Sequence, residues 1–337
     1  MAPKLFVTGG TGYIGGTVLD TIVKSHPEYD ITVLLRTIPA DFSKRYPDVH
    51  IINGDYDSTD IITEAASKAD VVVYNGNSDH LPPLQAIVAG LLKRSNTPSF
   101  LIHLSGTGIV ADWRTPTYLG KLNPKIWNDV DDIDAITSRP EGELHQHTDT
   151  YLHEVVAKHG DKLKVAIICP PDIYGPGRGP GRTQSVYFPV FWKEIQKVGQ
   201  PFYAGEGTNT RSWVHIEDLM TVYMKLIEAA VAGGKGADWG REGYYFTASQ
   251  EASQIDIARE TGKILKAKGR IENAEPKQLP LDTVGSMLSD LYPGLGAYMF
   301  AANSRTQAHR AKNVFGYEPK EATLWDTMEA DLLACLE

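Results

Sequence analysis

Three glycines spaced Gly-x-x-Gly-x-x-Gly, set between an apolar run and a helical one, limit this chain more than any other feature. Leu5-Phe6-Val7 leads straight into Thr8-Gly9-Gly10-Thr11-Gly12-Tyr13-Ile14-Gly15. In such a strand-to-helix turn one glycine permits the tight reversal, Gly12 lets backbone approach a pyrophosphate, and Gly15 lets the helix pack on the strand. The helix then opens with free N–H groups and the positive end of its dipole. Gly9, Thr11, Gly12, Tyr13, Ile14 and Gly15 are therefore the candidate phosphate contacts; a glycine-rich turn without a ligand is the plainer alternative.

The rest of the first half alternates short β-branched runs with helical patterns, over 4–8, 15–25, 31–35, 60–68, 70–74, 84–95 and 100–104. Parallel neighbours need crossover helices, so this alternation predicts an α/β fold with a Rossmann, doubly wound parallel sheet. Ligands then gather at the carboxyl ends of the strands. A long irregular segment follows over 106–141, then a helix over 144–158 and a strand over 163–169. The Gly/Pro-rich stretch 170–182 punctuates the chain, and beyond it strict alternation is lost. The expected organisation is a dinucleotide-binding domain over 1–177, with returning segments about 211–250. A smaller, partly interleaved α/β substrate lobe takes 178–210 and 251–337.

At the end of the second strand, Ile31-Thr32-Val33-Leu34-Leu35 leads into Arg36, where a protein selective for NAD would place an acid for the ribose hydroxyls. A guanidinium there suits a 2′-phosphate instead, which predicts NADP(H) as cofactor, with Thr37, Lys44 and Arg45 as possible helpers. A solvated loop charge is the other reading of Arg36.

Composition removes several classes. A formal net charge of -9 disfavours a nucleic-acid partner. Cys169 and Cys335 stand alone, without metal-ligand or disulfide spacing. His145 and His147 would diverge by roughly 200° on a helix, so no metal site is expected. The acidic run Asp129, Asp131, Asp132 and Asp134 could bind a cation, with a solvated loop as the plainer reading. No apolar stretch reaches the ~20 residues that cross a bilayer, and Met1-Ala2-Pro3-Lys4 lacks the apolar length of a signal peptide. The expectation is a cytoplasmic protein with a small-molecule substrate and no membrane partner.

Several further blocks, in order, resemble the extended short-chain dehydrogenase/reductases, the group that contains nucleotide-sugar epimerases, dehydratases and carbonyl reductases. Gly54-Asp55-Tyr56 is similar to the family's segment beside the adenine, and Tyr74-Asn75-Gly76-Asn77 to its loop over the adenosine ribose and pyrophosphate. Cys169-Pro170-Pro171-Asp172-Ile173-Tyr174-Gly175-Pro176-Gly177 resembles the loop that covers the nicotinamide. Arg211 to Leu219 and Asn313 to Lys320 match two later family segments. The resemblance implies cofactor contacts at Asp55, Tyr56, Asn75, Gly76, Asn77, Pro170, Pro171 and Ile173, and a possible homodimer.

The resemblance breaks at the family's Tyr-x-x-x-Lys pair, which is absent. Aligned on Glu154, the two positions fall near Gln146 and Thr150; one residue earlier they fall on His145 and Asp149. Residues four apart share a helix face, so His145 becomes the candidate acid/base and Asp149 the acceptor for ribose hydroxyls. Both also suit a helix start without catalysis. Ser105 and Thr107 flank the position of the family's catalytic hydroxyl, Ser105 as a wall of the nicotinamide site and Thr107 as a substrate contact. Arg178, Arg182 and Arg211 are candidates for a substrate phosphate or carboxylate. Trp113, Tyr118, Trp127, Phe188, Phe191, Trp192 and Trp213 suit an apolar substrate or a core. The functional expectation is an NADP-dependent oxidoreductase acting on a carbonyl or hydroxyl of a small organic molecule. A nucleotide-sugar epimerase is the related variant, and an NmrA-like redox sensor the alternative from another class.

Overall fold

The computed structural model describes residues 2–95 and 98–336. Its first strand, β1 (Lys4–Thr8), is buried from Leu5 on, and its glycine turn opens α1 (Tyr13–Ser25). The chain continues through β2 (Asp30–Leu35), α2 (Phe42–Arg45), β3 (His50–Asn53), α3 (Thr59–Lys68), β4 (Val71–Tyr74), α4 (Leu81–Leu92) and β5 (Ser99–Leu104). Within the long segment after β5 lie the two-residue strand β6 (Trp127–Asn128) and α5 (Ile133–Thr137). Then come α6 (Gln146–His159), β7 (Leu163–Cys169), β8 (Asp172–Tyr174), α7 (Tyr187–Val198), β9 (Phe202–Ala204), β10 (Thr210–His215), α8 (Ile216–Val231), β11 (Tyr244–Phe246) and β12 (Gln250–Ser253).

Seven strands form one parallel sheet in the order β11-β7-β5-β4-β1-β2-β3. β4 and β5 are buried along their whole length, as strands covered on both faces must be. One face carries α1 and α8, whose Val18, Leu19, Ile22, Leu219, Val222 and Tyr223 meet Val7, Val33 and Val73. The other carries α3, α4 and α6, with Ile62, Leu84, Ile87 and Leu152 against Phe6, Val72 and Leu101. A third core, built around Tyr187, Phe188, Phe191, Phe202, Trp213 and Phe300, lies beside the small sheet β12-β10-β8. No helix among the described residues is long and apolar enough to cross a membrane.

Several elements differ from the sequence reading, among them α2, the short β6 and α5 within 106–141, and the two that follow. β3 was not foreseen, because His50-Ile51-Ile52-Asn53 offers only two apolar residues and stands half-exposed at the sheet edge. The sixth helix starts at Gln146 rather than 144, because His145 adopts a left-handed backbone, φ 65.

A repeated Gly-Pro-Gly-Arg segment, residues 175–182, straps the second half onto α1. Gly179 lies so near Gly16 that a Cβ on Gly179 would come within 2.6 Å of the Gly16 Cα. Fully buried Asp20 is the anchor. It pairs with Arg178 and Lys24 at 2.8 Å each and with Arg45 at 3.0 Å, and accepts a hydrogen bond from Tyr46. Burial opposes this charge, but hydrogen bonds from Lys24, Arg45 and Tyr46 outweigh it and hold the carboxyl below its ordinary range. The partner cations keep contact with solvent, so the loss is that of charge-assisted hydrogen bonds, and Asp20→Ala is expected to cost about 2 kcal/mol of unfolding free energy in urea at pH 7. A group whose folded value is lowered stabilises above its unfolded value and loses that contribution as pH falls through the folded one. The gap between the variant and the natural chain should therefore close below pH 4; a gap that stays constant contradicts this role.

Candidate functional site

Along the carboxyl edge of the sheet, the turn after β1 is fixed by contact with the end of β4. Gly9 has φ +70, and a Cβ on it would come within 2.2 Å of the Asn75 carbonyl oxygen; one on Gly15 would reach 2.4 Å from the Gly9 oxygen. Thr8 Oγ1 accepts from the Asn75 N–H, and Tyr223 of α8 donates to Asn75 Oδ1 at 2.7 Å. The Gly12 N–H is spent on Gly9. The N–H groups of Tyr13, Ile14 and Gly15 have no acceptor among the described residues, and neither does the buried Nδ2 of Asn75. This is a cradle of unspent donors suited to a phosphate. The Tyr13 side chain takes no part, because its hydroxyl donates to Gly175 O at 2.6 Å.

Next to this turn opens a cavity of about 310 Å³ lined by Gly9, Thr11, Arg36, Asp55, Tyr56 and His80, among others. Arg36 is exposed and makes no ion pair or hydrogen bond among the described residues. Of the expected helpers, Thr37 lines the cavity. Arg45 does not serve there: it is drawn away to Asp20 and to the carbonyls of Arg178 and Gly179. Asp55 uses Oδ1 to accept from Ser58 Oγ and the Asp57 N–H, so that oxygen shapes the turn before α3. Tyr56 stands edge-on to Tyr74. Gly76 packs on the Tyr74 ring, and Asn77 Oδ1 accepts from the Asp79 N–H.

At the ends of β4 and β5 the chain builds a second cluster. His145 donates its backbone N–H to Asp79 Oδ1 at 2.8 Å, and its Nδ1 lies 3.0 Å from Asp79 Oδ2, off the line of a hydrogen bond. Burial opposes the Asp79 charge, but the His145 ring and N–H outweigh it and hold the carboxyl below its usual range. The ring rests on two glycines: a Cβ on Gly106 or Gly108 would come within 3.0 or 3.1 Å of Nε2. Nε2 itself has no hydrogen-bond partner among the described residues.

Asp149 corrects the expectation that it faces ribose hydroxyls from the same helix face as His145. His145 is not helical, and Asp149 is 2% exposed, accepting from Ser105 Oγ and from the Tyr244 hydroxyl at 2.9 Å each. Burial pushes its carboxyl up to about 6 despite those bonds. Beside it, burial pushes His103 down to about 3. Ser105 thus gives its proton inward, and buried Thr107 contacts Ser304 Oγ at 3.0 Å and gives its N–H to Pro170 O. Pro170 and Pro171 are buried, while Ile173 sits in β8 against β10.

The arginines are also corrected. Arg211 is buried on Asp172 and the Tyr298 carbonyl. Arg178 is taken by Glu217, Asp20 and Thr21. Arg182 donates to the carbonyls of Gln184 and Ser185. Phe188, Phe191 and Trp213 are core. Trp192 packs on that core half-buried, Trp113 meets Tyr292, Tyr118 lies beside Lys121, and Trp127 stacks with Lys125 and Arg139. Asp129, Asp131 and Asp132 accept hydrogen bonds within the protein, and Asp134 pairs with Arg241. No group of three potential metal ligands gathers among the described residues. Sequence reasoning missed Asp79, 66 residues from His145, and Tyr244, 95 residues from Asp149; no local pattern marks either.

Comparison with known proteins agrees with this fold. The chain is 27% identical over 332 residues to the oxidase ucsJ of Acremonium sp, covering 95% of this chain and 93% of that protein. Among solved structures it is similar to a dTDP-glucose 4,6-dehydratase from Bacillus anthracis in complex with NAD. There the TM-score is 0.64 at 15% identity, covering 98% of this chain and 96% of the other. It is likewise similar to the UDP-glucose 4-epimerase of Thermotoga maritima with UDP-glucose, at TM-score 0.66 and 15% identity, covering 99% and 100%. The model of the NAD dependent epimerase/dehydratase family matches residues 5–82 and 137–240, more than half of the chain, and the protein belongs to that family.

Proposed function

We propose that the protein is an NADP-dependent oxidoreductase that interconverts a carbonyl and a hydroxyl on a small organic molecule, with His145 as its acid and base. The observation that carries this reading is the unpartnered Nε2 of His145, laid over Gly106 and Gly108. It stands at the same sheet edge as the unspent amides of Tyr13, Ile14 and Gly15. The residues present fit a dinucleotide: those amides and Asn75 Nδ2 would receive the pyrophosphate, Tyr56 and Asp55 flank the adenosine cavity, and Arg36 is free for a 2′-phosphate. When bound, the nicotinamide supplies or accepts a hydride. His145 gives a proton to the substrate oxygen through Nε2, or takes one from it in the reverse direction. Ser105, its proton committed to Asp149, offers only lone pairs to the site, and Thr107 is the second hydroxyl near the substrate oxygen.

A nucleotide-sugar substrate fits less well. Arg211 and Arg178, two of the cations available to meet its diphosphate, are already neutralised by Asp172, Glu217 and Asp20. The missing Tyr-x-x-x-Lys pair favours one further reading, an NADP(H)-binding regulator without turnover.

Three outcomes test the proposal. Arg36→Asp should weaken NADPH binding by about 10- to 100-fold, the worth of a charge-assisted hydrogen bond, and favour NADH; continued preference for NADPH places the 2′-phosphate elsewhere. In a panel of aldehydes and ketones, His145→Ala should lower kcat by about 100-fold or more with NADPH affinity unchanged. Full activity in that variant removes His145 from the mechanism, and a panel with no turnover in the natural chain favours the regulator. Calorimetry with UDP and dTDP should give no heat of binding; micromolar affinity for either returns the nucleotide-sugar reading.

A further inference from the structure

His145 is one of two non-glycine residues with positive φ among the described residues. An L residue in this conformation costs roughly 1–2 kcal/mol, so the surroundings must enforce it. They do so through one short segment, residues 77–80, after β4. Asp79 Oδ1 accepts the His145 N–H, and the Asp79 carbonyl accepts from His147 Nε2 at 3.0 Å. Thr148 Oγ1 donates to the Ser78 carbonyl at 2.6 Å, and Asn77 Oδ1 holds the Asp79 N–H at 3.0 Å. The first turn of α6 is thereby docked on the β4 loop from both directions.

We infer that Asp79 is a positioning residue that turns the His145 ring, so that Nδ1 faces its carboxylate and Nε2 faces the end of β5. The inference rests on His145 being the acid and base of the proposed reaction. Its physical basis is electrostatic: Oδ2 stands 3.0 Å from Nδ1, off the line of a hydrogen bond, and its negative charge disfavours a lone pair there. The neutral ring therefore keeps its proton on Nδ1 and leaves a lone pair on Nε2. In reduction the Nε2–H bond of the doubly protonated ring breaks as the O–H bond of the product forms. The hydride comes from the reduced nicotinamide, and the ring is left neutral with its proton on Nδ1. In oxidation the same lone pair takes the hydroxyl proton. Asp79 keeps 37% of its side chain open to solvent, so its role is orientation rather than a large contribution to stability. Gly106 and Gly108 complete the device, because any side chain at either would meet Nε2.

The test reads the tautomer directly. Full-length chain labelled with 15N-histidine is examined by long-range 1H–15N correlation at pH 9, where a histidine is ordinarily neutral; His145→Ala identifies the signal. The natural chain should show the Nδ1–H tautomer. Asp79→Asn should move the population to Nε2–H, the form usual for free imidazole. Asp79→Asn keeps an oxygen for the backbone N–H and places its amide NH2 opposite Nδ1, which separates ring orientation from docking of the loop; Asp79→Ser, too short to reach either, should also give Nε2–H. An Nε2–H tautomer in the natural chain overturns the inference, as does an Nδ1–H tautomer that survives in whichever of the two variants folds. Its failure is distinguishable from failure of the proposed function: an active His145→Ala enzyme removes the acid, whereas an inactive one with an unmoved tautomer in the Asp79 variants removes Asp79 alone.

Discussion

The close approach of the turn after β1 to the end of β4 is the constraint on which the molecule depends. Gly9 and Gly15 can lie against Asn75 only because neither carries a Cβ. That contact brings the first turn of α1 down onto the sheet and leaves three amides without acceptors. It also spends Asn75 Oδ1 on Tyr223, so the helix returning from the second half of the chain is held against the same turn. One close backbone contact therefore sets both the phosphate cradle and the docking of α8.

A second layer of order comes from charge. Asp20 collects Arg178, Arg45 and Lys24, and Asp172 holds Arg211. These pairs strap the halves together, and they commit Arg178 and Arg211 to carboxylates of the protein itself. Arg36 is left as a free cation on the wall of the cofactor cavity. The distribution of spent and unspent charge thus separates a sheet edge where Arg36 and three amides are unspent from the region of β8, β10 and the 175–182 strap, where the arginines serve structure.

Much of the sheet is legible in the sequence because parallel strands, buried on both faces, read as short apolar runs between helical ones; β1, β4, β5 and β7 are of this kind. β3 is not, since an edge strand with one half-exposed face needs few apolar residues. The glycine turn, and the place of Arg36 directly after β2, are legible because strand, turn and helix are contiguous. The second cluster is not. His145 and Asp149 stand four apart, which suggests one helix face, yet the left-handed backbone at His145 lifts it out of the helix and leaves Asp149 turned into the core beneath Ser105 and Tyr244. Similarly, Arg178 and Arg211 look free in sequence, because their partners Asp20, Glu217 and Asp172 lie about 40 residues or more away.

The account stands on the unspent amides of α1 and on the guanidinium of Arg36. Titration of the purified full-length chain with NADPH and with NADH, followed by nicotinamide fluorescence at matched ionic strength, tests both at once. The account predicts saturable binding of each, with NADPH bound at least about tenfold tighter, as one charge-assisted contact to the extra phosphate provides. Absence of binding by either dinucleotide would contradict it.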